Sequence, residues 1–353
     1  MKVLFVYYVP SGGVDTLNRQ RCRLLRQFGV HAECLYYGWG AGLQNAADFP
    51  VHVTRNDIAI KHILDSGNYE AIVVTTDHIS LQRLRVLGFG GKLILEIQGY
   101  GPKEVARQQL TAAMPVINAH ASALLNPQTP HISALFKELY PHIPKFQFNN
   151  CFDAAQFTYR PGPKAEAPVI AWLGRIEDNK NWREFLHIGH QLSAVYSNLQ
   201  LWMFEDPNLA IPAEKEQFVR LVDTLGLKQR LTVRSNVPHA EMQQYFSMVG
   251  DSGGFLCSTS KVEGAPYAVL EAMSCRCPVL STNSDGVSTS IYHNQTGKFY
   301  KLGDIAHAVW EARELMENPL LREQIRAGAQ QHVRQHFDSM AYGRHFLGML
   351  QTI

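Results

Sequence analysis

Two glutamates eight positions apart, Glu263 and Glu271, flank a glycine and a proline in the stretch Ser260-Lys261-Val262-Glu263-Gly264-Ala265-Pro266-Tyr267-Ala268-Val269-Leu270-Glu271-Ala272-Met273. A carboxylate accepts two hydroxyl hydrogen bonds at once, so such a pair suits a polyol ligand. The stretch follows the apolar run Gly254-Phe255-Leu256-Cys257, which reads as a strand. Gly264 permits a sharp turn and a close ligand approach. Pro266 suits the first position of a helix, where its missing N–H loses nothing, and the helix is predicted to run to about Cys275. A helix N-terminus offers free N–H groups and a positive dipole end, which is a site for an anion. Glu263 in the loop and Glu271 about one turn inside the helix then project into one cleft. The alternative is that Glu263 offsets the helix dipole and Glu271 is a solvated surface acid.

A second loop has similar placement. Trp172-Leu173-Gly174-Arg175-Ile176-Glu177-Asp178-Asn179-Lys180-Asn181-Trp182 also lies between a strand and a helix. Gly174 ends the strand, and Arg175 and Lys180 stand near its carboxyl end. A forked guanidinium and a point-charge ammonium together hold a diphosphate; the alternative is a solvated loop. Gly12-Gly13, after the first strand, is a third loop of this kind, without the full dinucleotide fingerprint. His78 follows Asp77 after a strand ending at Thr76, and is either a cleft residue or a structural one.

These loops need strands to carry them. Apolar runs such as Ala71-Ile72-Val73-Val74 suit strands buried on both faces, the parallel-sheet pattern. Strands are predicted at 2–8, 31–37, 71–75, 92–96 and 122–125, then at 168–173, 199–204, 231–233, 254–257 and 278–281. Helices are predicted at 15–28, 181–196, 213–225, 239–248 and 265–275. The alternation implies βαβ units and two open parallel sheets, with ligands at the carboxyl ends of the strands. The run 158–167, Thr158 to Ala167, is rich in proline and glycine and reads as a linker.

Length and composition agree. The chain has 353 residues, 46% hydrophobic and 18% charged, which implies about two packed domains and excludes a disordered tail. Lys+Arg is 33 against Asp+Glu 31, a net charge of +2, which excludes a dedicated nucleic-acid binder. Six scattered cysteines fit free thiols in a reducing compartment rather than a disulfide scaffold. The first apolar run is too short for a signal peptide and no run is long enough to cross a bilayer, so a cytoplasmic chain is expected. Arg19, Arg21, Arg23 and Arg26 on the first helix form either a solvated basic face or a weak peripheral membrane contact through the N-terminal domain, which would place the chain at the inner face of the membrane.

Taken together, the motifs make the chain resemble the family-4-type retaining glycosyltransferases of the GT-B fold (glycosyl transferases group 1). The "GR…K" loop of that family is matched by Gly174, Arg175 and Lys180, and its "S-x-x-E-G…E-A-M" stretch by Ser260, Glu263, Gly264, Glu271, Ala272 and Met273. Pro278-Val279, Thr296-Gly297, Gly303-Asp304, Gly12-Gly13 and Asn150-Cys151-Phe152-Asp153 with Phe157 also match. The resemblance implies an α/β protein with two Rossmann-like domains facing each other across a cleft. It divides the chain into an acceptor-side domain at 1–158, a nucleotide-sugar domain at 159–335, and a final helix at about 336–353 returning to the first domain.

It also implies roles. Arg175 and Lys180 hold the donor diphosphate, Glu263 contacts donor-sugar hydroxyls, and Glu271 binds the ribose; Arg175, Lys180 and Glu263 are the catalytic candidates. Gly12, Gly13 and Gly174 line the donor site, and the N–H groups of Gly264, Ala265, Tyr267 and Ala268 are candidates for phosphate or sugar. The implied reaction moves a hexosyl unit from a nucleotide-sugar, UDP favoured and GDP the alternative, to a hydroxyl of a saccharide or glycolipid acceptor. No cofactor and no metal is expected. Three departures stand out. Gln98 sits where the family often has a histidine, and with His78 is a candidate sugar or acceptor contact. Arg276 replaces the usual glycine, between Cys275 and Cys277. Asp285-Gly286-Val287-Ser288-Thr289 lacks the usual glutamate. A phosphorylase or epimerase on the same scaffold, or a non-catalytic nucleotide-sugar-binding subunit, are the alternatives.

Overall fold

The computed structural model describes every residue except Lys164 and Asp285. The chain forms two compact units. Unit 1 comprises Met1–Asp153 with Phe337–Ile353, and unit 2 comprises Ala154–His336.

The division precedes the expected boundary at 158/159 because residues 157–160 are tied into unit 2. The Ser274 hydroxyl donates to Phe157 O at 2.6 Å, Tyr159 donates to Asp251 at 2.8 Å, and Arg160 N–H donates to Ser247 at 2.9 Å. The run 158–167 holds no helix or strand among its described residues.

Unit 1 is built on seven parallel strands: β1 (Lys2–Tyr7), β2 (His31–Tyr36), β3 (Val51–Val53), β4 (Ala71–Thr75), β5 (Lys92–Glu96), β6 (Ala123–Asn126) and β7 (Lys145–Gln147). Their order is β3-β2-β1-β4-β5-β6-β7. Leu4, Val6, Ile72, Val74, Leu93 and Leu95 lie on the inner strands and are fully buried. Unit 2 carries β8 (Val169–Leu173), β9 (Gln200–Glu205), β10 (Leu231–Ser235), β11 (Phe255–Ser258), β12 (Val279–Thr282) and β13 (Lys298–Tyr300), all parallel, in the order β10-β9-β8-β11-β12-β13. The unpredicted strands β3, β7 and β13 have three residues each and sit at sheet edges. So short a run on a half-covered edge carries no period to read.

The first helix spans Gly12–Leu25 rather than 15–28. Gly12, at φ +68°, lets the chain turn into it early, and Arg26–Phe28 tighten into a 3-10 turn closed by Gly29 at φ +71°. The last helix, Ser339–Thr352, packs in unit 1. Asp338 caps it by accepting from Met340 N–H and Ala341 N–H at 3.0 and 3.2 Å. Its Phe346 meets Phe5 of β1 with ring centroids 5.8 Å apart, and a Cβ at Gly343 would strike the Phe28 ring.

Half of the basic face expected on the first helix is buried. Arg21 is fully buried, with its guanidinium 2.9 and 3.0 Å from the two oxygens of Glu96, 2.6 Å from Asn18 and over the Phe5 ring. Glu96 also accepts the Thr75 hydroxyl at 2.8 Å. Arg19 is buried against Asp15 at 2.8 Å, and Asp15 in turn accepts the Tyr36 hydroxyl at 2.8 Å. Arg23 and Arg26 both pair with Asp48. Burial of an unpaired charge is prohibitive, so Arg19 and Arg21 are committed inside unit 1, while Arg23 and Arg26 stay partly exposed and share Asp48. Among the described residues, no helix is long and apolar enough to cross a membrane.

Candidate donor site

In each sheet the chain runs outward on one side of a central strand and then crosses to the other. In unit 2 the crossing separates β9 and β11 on either side of β8. Ligands in open parallel sheets sit outside the carboxyl ends of the strands at such a reversal. Here those ends lead into the loop starting at Gly174 and the loop starting at Thr259.

Gly174 N–H donates to Phe204 O at 3.1 Å. A Cβ at this position would lie 2.9 Å from the Trp172 ring, which is itself buried, so the loop can leave the strand only with glycine. Arg175 comes next, half exposed and 3.0 Å from Glu177. A single turn, Asp178–Lys180, ends at Asn181 with φ +51°.

Side chains and backbone lace the two loops together. Trp172 Nε1–H donates to Thr259 Oγ1 at 3.0 Å, and the Thr259 hydroxyl donates to Lys180 O at 2.8 Å. Lys261 N–H donates to Asn179 O at 2.8 Å, the Asn179 amide donates to Val262 O at 3.1 Å, and Lys261 Nζ meets Asp178 at 2.7 Å. The result brings Lys180 Nζ onto Glu263 Oε1, which also accepts the Ser260 hydroxyl at 2.7 Å. Glu263 Oε2 has no hydrogen-bond partner among the described residues. A third loop clamps the backbone from behind. Gly286 N–H donates to Glu263 O at 2.9 Å, and a Cβ at Gly286 would fall 2.3 Å from Gly264 O. Asp285, beside it, lies outside the described residues.

The helix that follows is Tyr267–Ser274. Pro266 is not its first residue. With ψ +76° it stands just outside, and its carbonyl accepts from Val269 and Leu270 N–H at 3.0 and 3.2 Å. Tyr267 N–H is withdrawn from the expected anion donors because it donates to Ala265 O at 3.0 Å. The N–H groups of Ala265 and Ala268 take no partner among the described residues. Glu271 is no surface acid: its side chain is 5% exposed, with Oε1 2.7 Å from His239 Nε2. Its Oε2 has no hydrogen-bond partner among the described residues. A buried carboxylate with one satisfied oxygen is costly unless a ligand completes it.

The residues around Arg276 are structural. Cys275 and Cys277 are buried free thiols, and burial pushes the Cys277 thiol up to about 12. Arg276 holds φ +57°, the left-handed backbone that glycine takes freely, and its guanidinium pairs with Glu323. Among the described residues no set of three His, Cys, Asp or Glu is placed to hold a metal.

In unit 1 the reversal lies between β1 and β4. Gly12 and Gly13 open the helix after β1. After β4, Thr76 holds φ +67° and its carbonyl accepts the Tyr100 hydroxyl at 2.7 Å. Asp77 accepts the Ser80 hydroxyl at 2.5 Å, and Ser80 meets Tyr37 at 2.8 Å. His78 Nδ1 is 3.5 Å from the Tyr100 hydroxyl; partial burial lowers its pKa, against the pull of Asp77. Gln98 is buried, and its amide exchanges two hydrogen bonds with Asn150, at 3.1 and 2.7 Å. The sugar contact expected of Gln98 therefore meets an amide already committed to a neighbour.

His239 carried no signal of its own in the sequence. The hint available was Pro238-His239 opening the helix His239–Asp251 just after β10, which puts a polar ring near a strand end.

Residues 157–332 match the family model described as glycosyl transferases group 1. D-inositol 3-phosphate glycosyltransferase 1 of Catenulispora acidiphila is 23% identical over 184 residues, 51% of this chain and 43% of that protein. The lipopolysaccharide core biosynthesis glycosyltransferase LpsD of Rhizobium meliloti is 25% identical over 177 residues, 50% of this chain and 47% of that protein. The chain thus matches less than half the length of these relatives. Among solved structures, Anabaena HepE in complex with UDP-glucose is similar over the whole of both chains, with a TM-score of 0.84 at 17% identity. Sucrose-phosphate synthase of Thermosynechococcus elongatus has a TM-score of 0.80 at 15% identity, over 100% of this chain and 98% of that one. At such identities the likeness is one of fold, and the fold is GT-B. With the family match covering the unit 2 loops built above, the chain belongs to the group 1 glycosyltransferases of GT-B type.

Proposed function

We propose that this chain transfers a hexosyl unit from a nucleotide-sugar, UDP-linked by preference, to a hydroxyl of a saccharide or glycolipid acceptor, with retention at the anomeric carbon. The observation that carries the reading is the Lys180–Glu263 contact between the two laced loops of unit 2, with Arg175 on the first loop and, on the helix after the second, a buried Glu271 whose Oε2 has no partner among the described residues. HepE, of the same fold, was crystallised with UDP and glucose and with UDP-glucose, which supports a UDP-sugar here.

In this reading Arg175 and Lys180 meet the diphosphate, Glu263 the sugar hydroxyls and Glu271 the ribose. The acceptor oxygen forms a bond to the anomeric carbon while the bond to the diphosphate oxygen breaks, and the acceptor hydroxyl passes its proton to the departing diphosphate. Negative charge grows on the leaving diphosphate. Cations fixed at that position stabilise it without reorganising, typically the largest single contribution to such a step. With Arg175 and Lys180 in that role the proposed reaction needs no divalent metal. Surface polysaccharide, lipopolysaccharide or other glycoconjugate synthesis is the proposed setting, in line with LpsD, a lipopolysaccharide core biosynthesis glycosyltransferase. Six buried free thiols fit a cytoplasmic location.

The test is calorimetric titration with UDP, GDP and ADP, followed by donor turnover with excess chelator. UDP binding and chelator-resistant turnover are expected. Binding without turnover would instead favour a non-catalytic nucleotide-sugar-binding subunit, and turnover lost to chelator and restored by magnesium or manganese would refute the metal-free step.

A further inference from the structure

We propose that His239 is the positioning residue for the ribose-binding carboxylate. It fixes one oxygen of Glu271 so that the other is presented, in one orientation, to the ribose hydroxyls. The inference rests on the reading of Glu271 as the ribose ligand.

Glu271 and His239 come from different helices, 32 positions apart, and meet at 2.7 Å between Oε1 and Nε2. A carboxylate only accepts, so Nε2 of His239 carries the proton and donates it. The imidazole is held in turn. Its ring stacks on Phe157, with centroids 5.0 Å apart and planes 29° from parallel. Phe157 is itself buried and packs edge-on against Phe246 at 6.4 Å. Its carbonyl accepts the hydroxyl of Ser274, three residues beyond Glu271 on the same helix, at 2.6 Å. Phe157, His239, Glu271 and Ser274 thus close a ring of contacts, and each fixes the next.

A glutamate side chain left alone in this place would sample several rotamers, and binding a ligand would have to select one. Holding it beforehand removes that cost. The same logic holds in metal sites, where losing an outer partner of a ligating side chain typically costs about tenfold to a hundredfold in affinity. His239 therefore acts on the nucleotide through Glu271 and is not itself a contact of the reacting atoms.

The experiment uses the whole chain and whichever of UDP, GDP and ADP binds tightest, with the 2′,3′-dideoxy form of that nucleotide as the second probe. Dissociation constants are measured for the wild type, His239→Ala, His239→Gln and Glu271→Ala. Loss of a charge-assisted hydrogen bond should weaken nucleotide binding about tenfold in His239→Ala. His239→Gln, whose amide N–H reaches the same oxygen, should stay within about threefold of wild type. The dideoxy nucleotide, which has no ribose hydroxyls to lose, should bind His239→Ala nearly as it binds the wild type.

Equal losses on both nucleotides would mean that His239 merely supports the fold, and the proposal falls. It falls also if His239→Gln is as weak as His239→Ala, because stacking on Phe157 would then be what matters. Wild-type binding by His239→Ala alongside weak binding by Glu271→Ala overturns the proposal and leaves the ribose reading standing. Wild-type binding by Glu271→Ala removes the ribose reading itself, and the proposal with it.

Discussion

Each unit pairs a cation with a glutamate, but the two pairs live in different surroundings. In unit 1, Arg21 and Glu96 are 0% and 1% exposed, and Asn18 and Thr75 take up further hydrogen-bonding capacity. In unit 2, Lys180 and Glu263 are 21% and 15% exposed, and one carboxylate oxygen has no partner among the described residues. The first pair is sealed from solvent, with both guanidinium NH2 groups engaged and only Arg21 Nε without a partner among the described residues, and it serves architecture. The second is incomplete and sits at a strand-end reversal, where, in the proposed reading, a diphosphate and sugar supply what is lacking. Charge alone does not mark a functional residue; unfilled hydrogen-bonding capacity beside solvent does.

The largest effect should come from breaking the buried pair. Arg21→Ala leaves Glu96 buried without its cation, which costs about 3–5 kcal/mol of stability. Urea denaturation should show that loss. A midpoint unchanged from wild type would erase the distinction between the two pairs. In unit 2 the same kind of change should act on chemistry instead. Arg175→Ala and Lys180→Ala should each lower donor turnover by roughly 2–4 kcal/mol in transition-state stabilisation, while the thermal midpoint moves little, since partly exposed pairs contribute about 1 kcal/mol or less. Steady-state kinetics with melting curves on the same samples decides this.

How much of the contrast was legible beforehand differs between the units. In unit 2 the candidate residues are local: Gly174, Arg175 and Lys180 lie within one loop, and Glu263 and Glu271 within one loop-helix, so spacing offers both as candidates and the resemblance to the glycosyltransferases favours a site over solvated loops. The Lys180–Glu263 contact joins residues 83 positions apart and needs the parallel sheet to be seen. In unit 1, four arginines on one helix look like a basic face, because their partners Glu96 and Asp48 come from distant segments. Periodicity located the inner strands because both their faces are apolar. It was silent on β3, β7 and β13, whose few residues face mixed surroundings at the sheet edges.

A finer cut separates the two carboxylates of unit 2. Glu271→Ala should weaken free nucleoside diphosphate and intact donor alike, whereas Glu263→Ala should spare the nucleoside diphosphate and impair donor use. Each loss should be roughly 1.5–3 kcal/mol, the range for hydrogen bonds to a charged group. Parallel titrations with UDP and UDP-glucose resolve the two patterns, and matching profiles for both variants would merge the assigned roles.

The smallest effect compares one histidine from each unit. Burial lowers the pKa of His78 in unit 1 and of His332 in unit 2. Each folded value lies below the unfolded one, about 6.5, so the unfolded chain binds more protons. Stability is then full above about pH 6.5 and declines as pH falls below it. Melting curves from pH 7.5 to 5.5 should shift downward, and His78→Gln or His332→Gln should each flatten part of that slope. A slope left intact in both would assign the acid sensitivity to other groups.

The internal pairing of the donor-site cations has a kinetic consequence. Arg175 faces Glu177, Lys180 faces Glu263, Lys261 faces Asp178, and Glu271 adds a further acid. A nucleoside diphosphate drifting toward unit 2 therefore meets no net positive field to draw it in. Its arrival should be unsteered, at about 10⁵–10⁶ M⁻¹s⁻¹, and nearly indifferent to ionic strength. If Lys180 exchanges Glu263 for phosphate as proposed, discrimination between ligands is exerted after the encounter and shows in how long a ligand stays rather than how fast it comes.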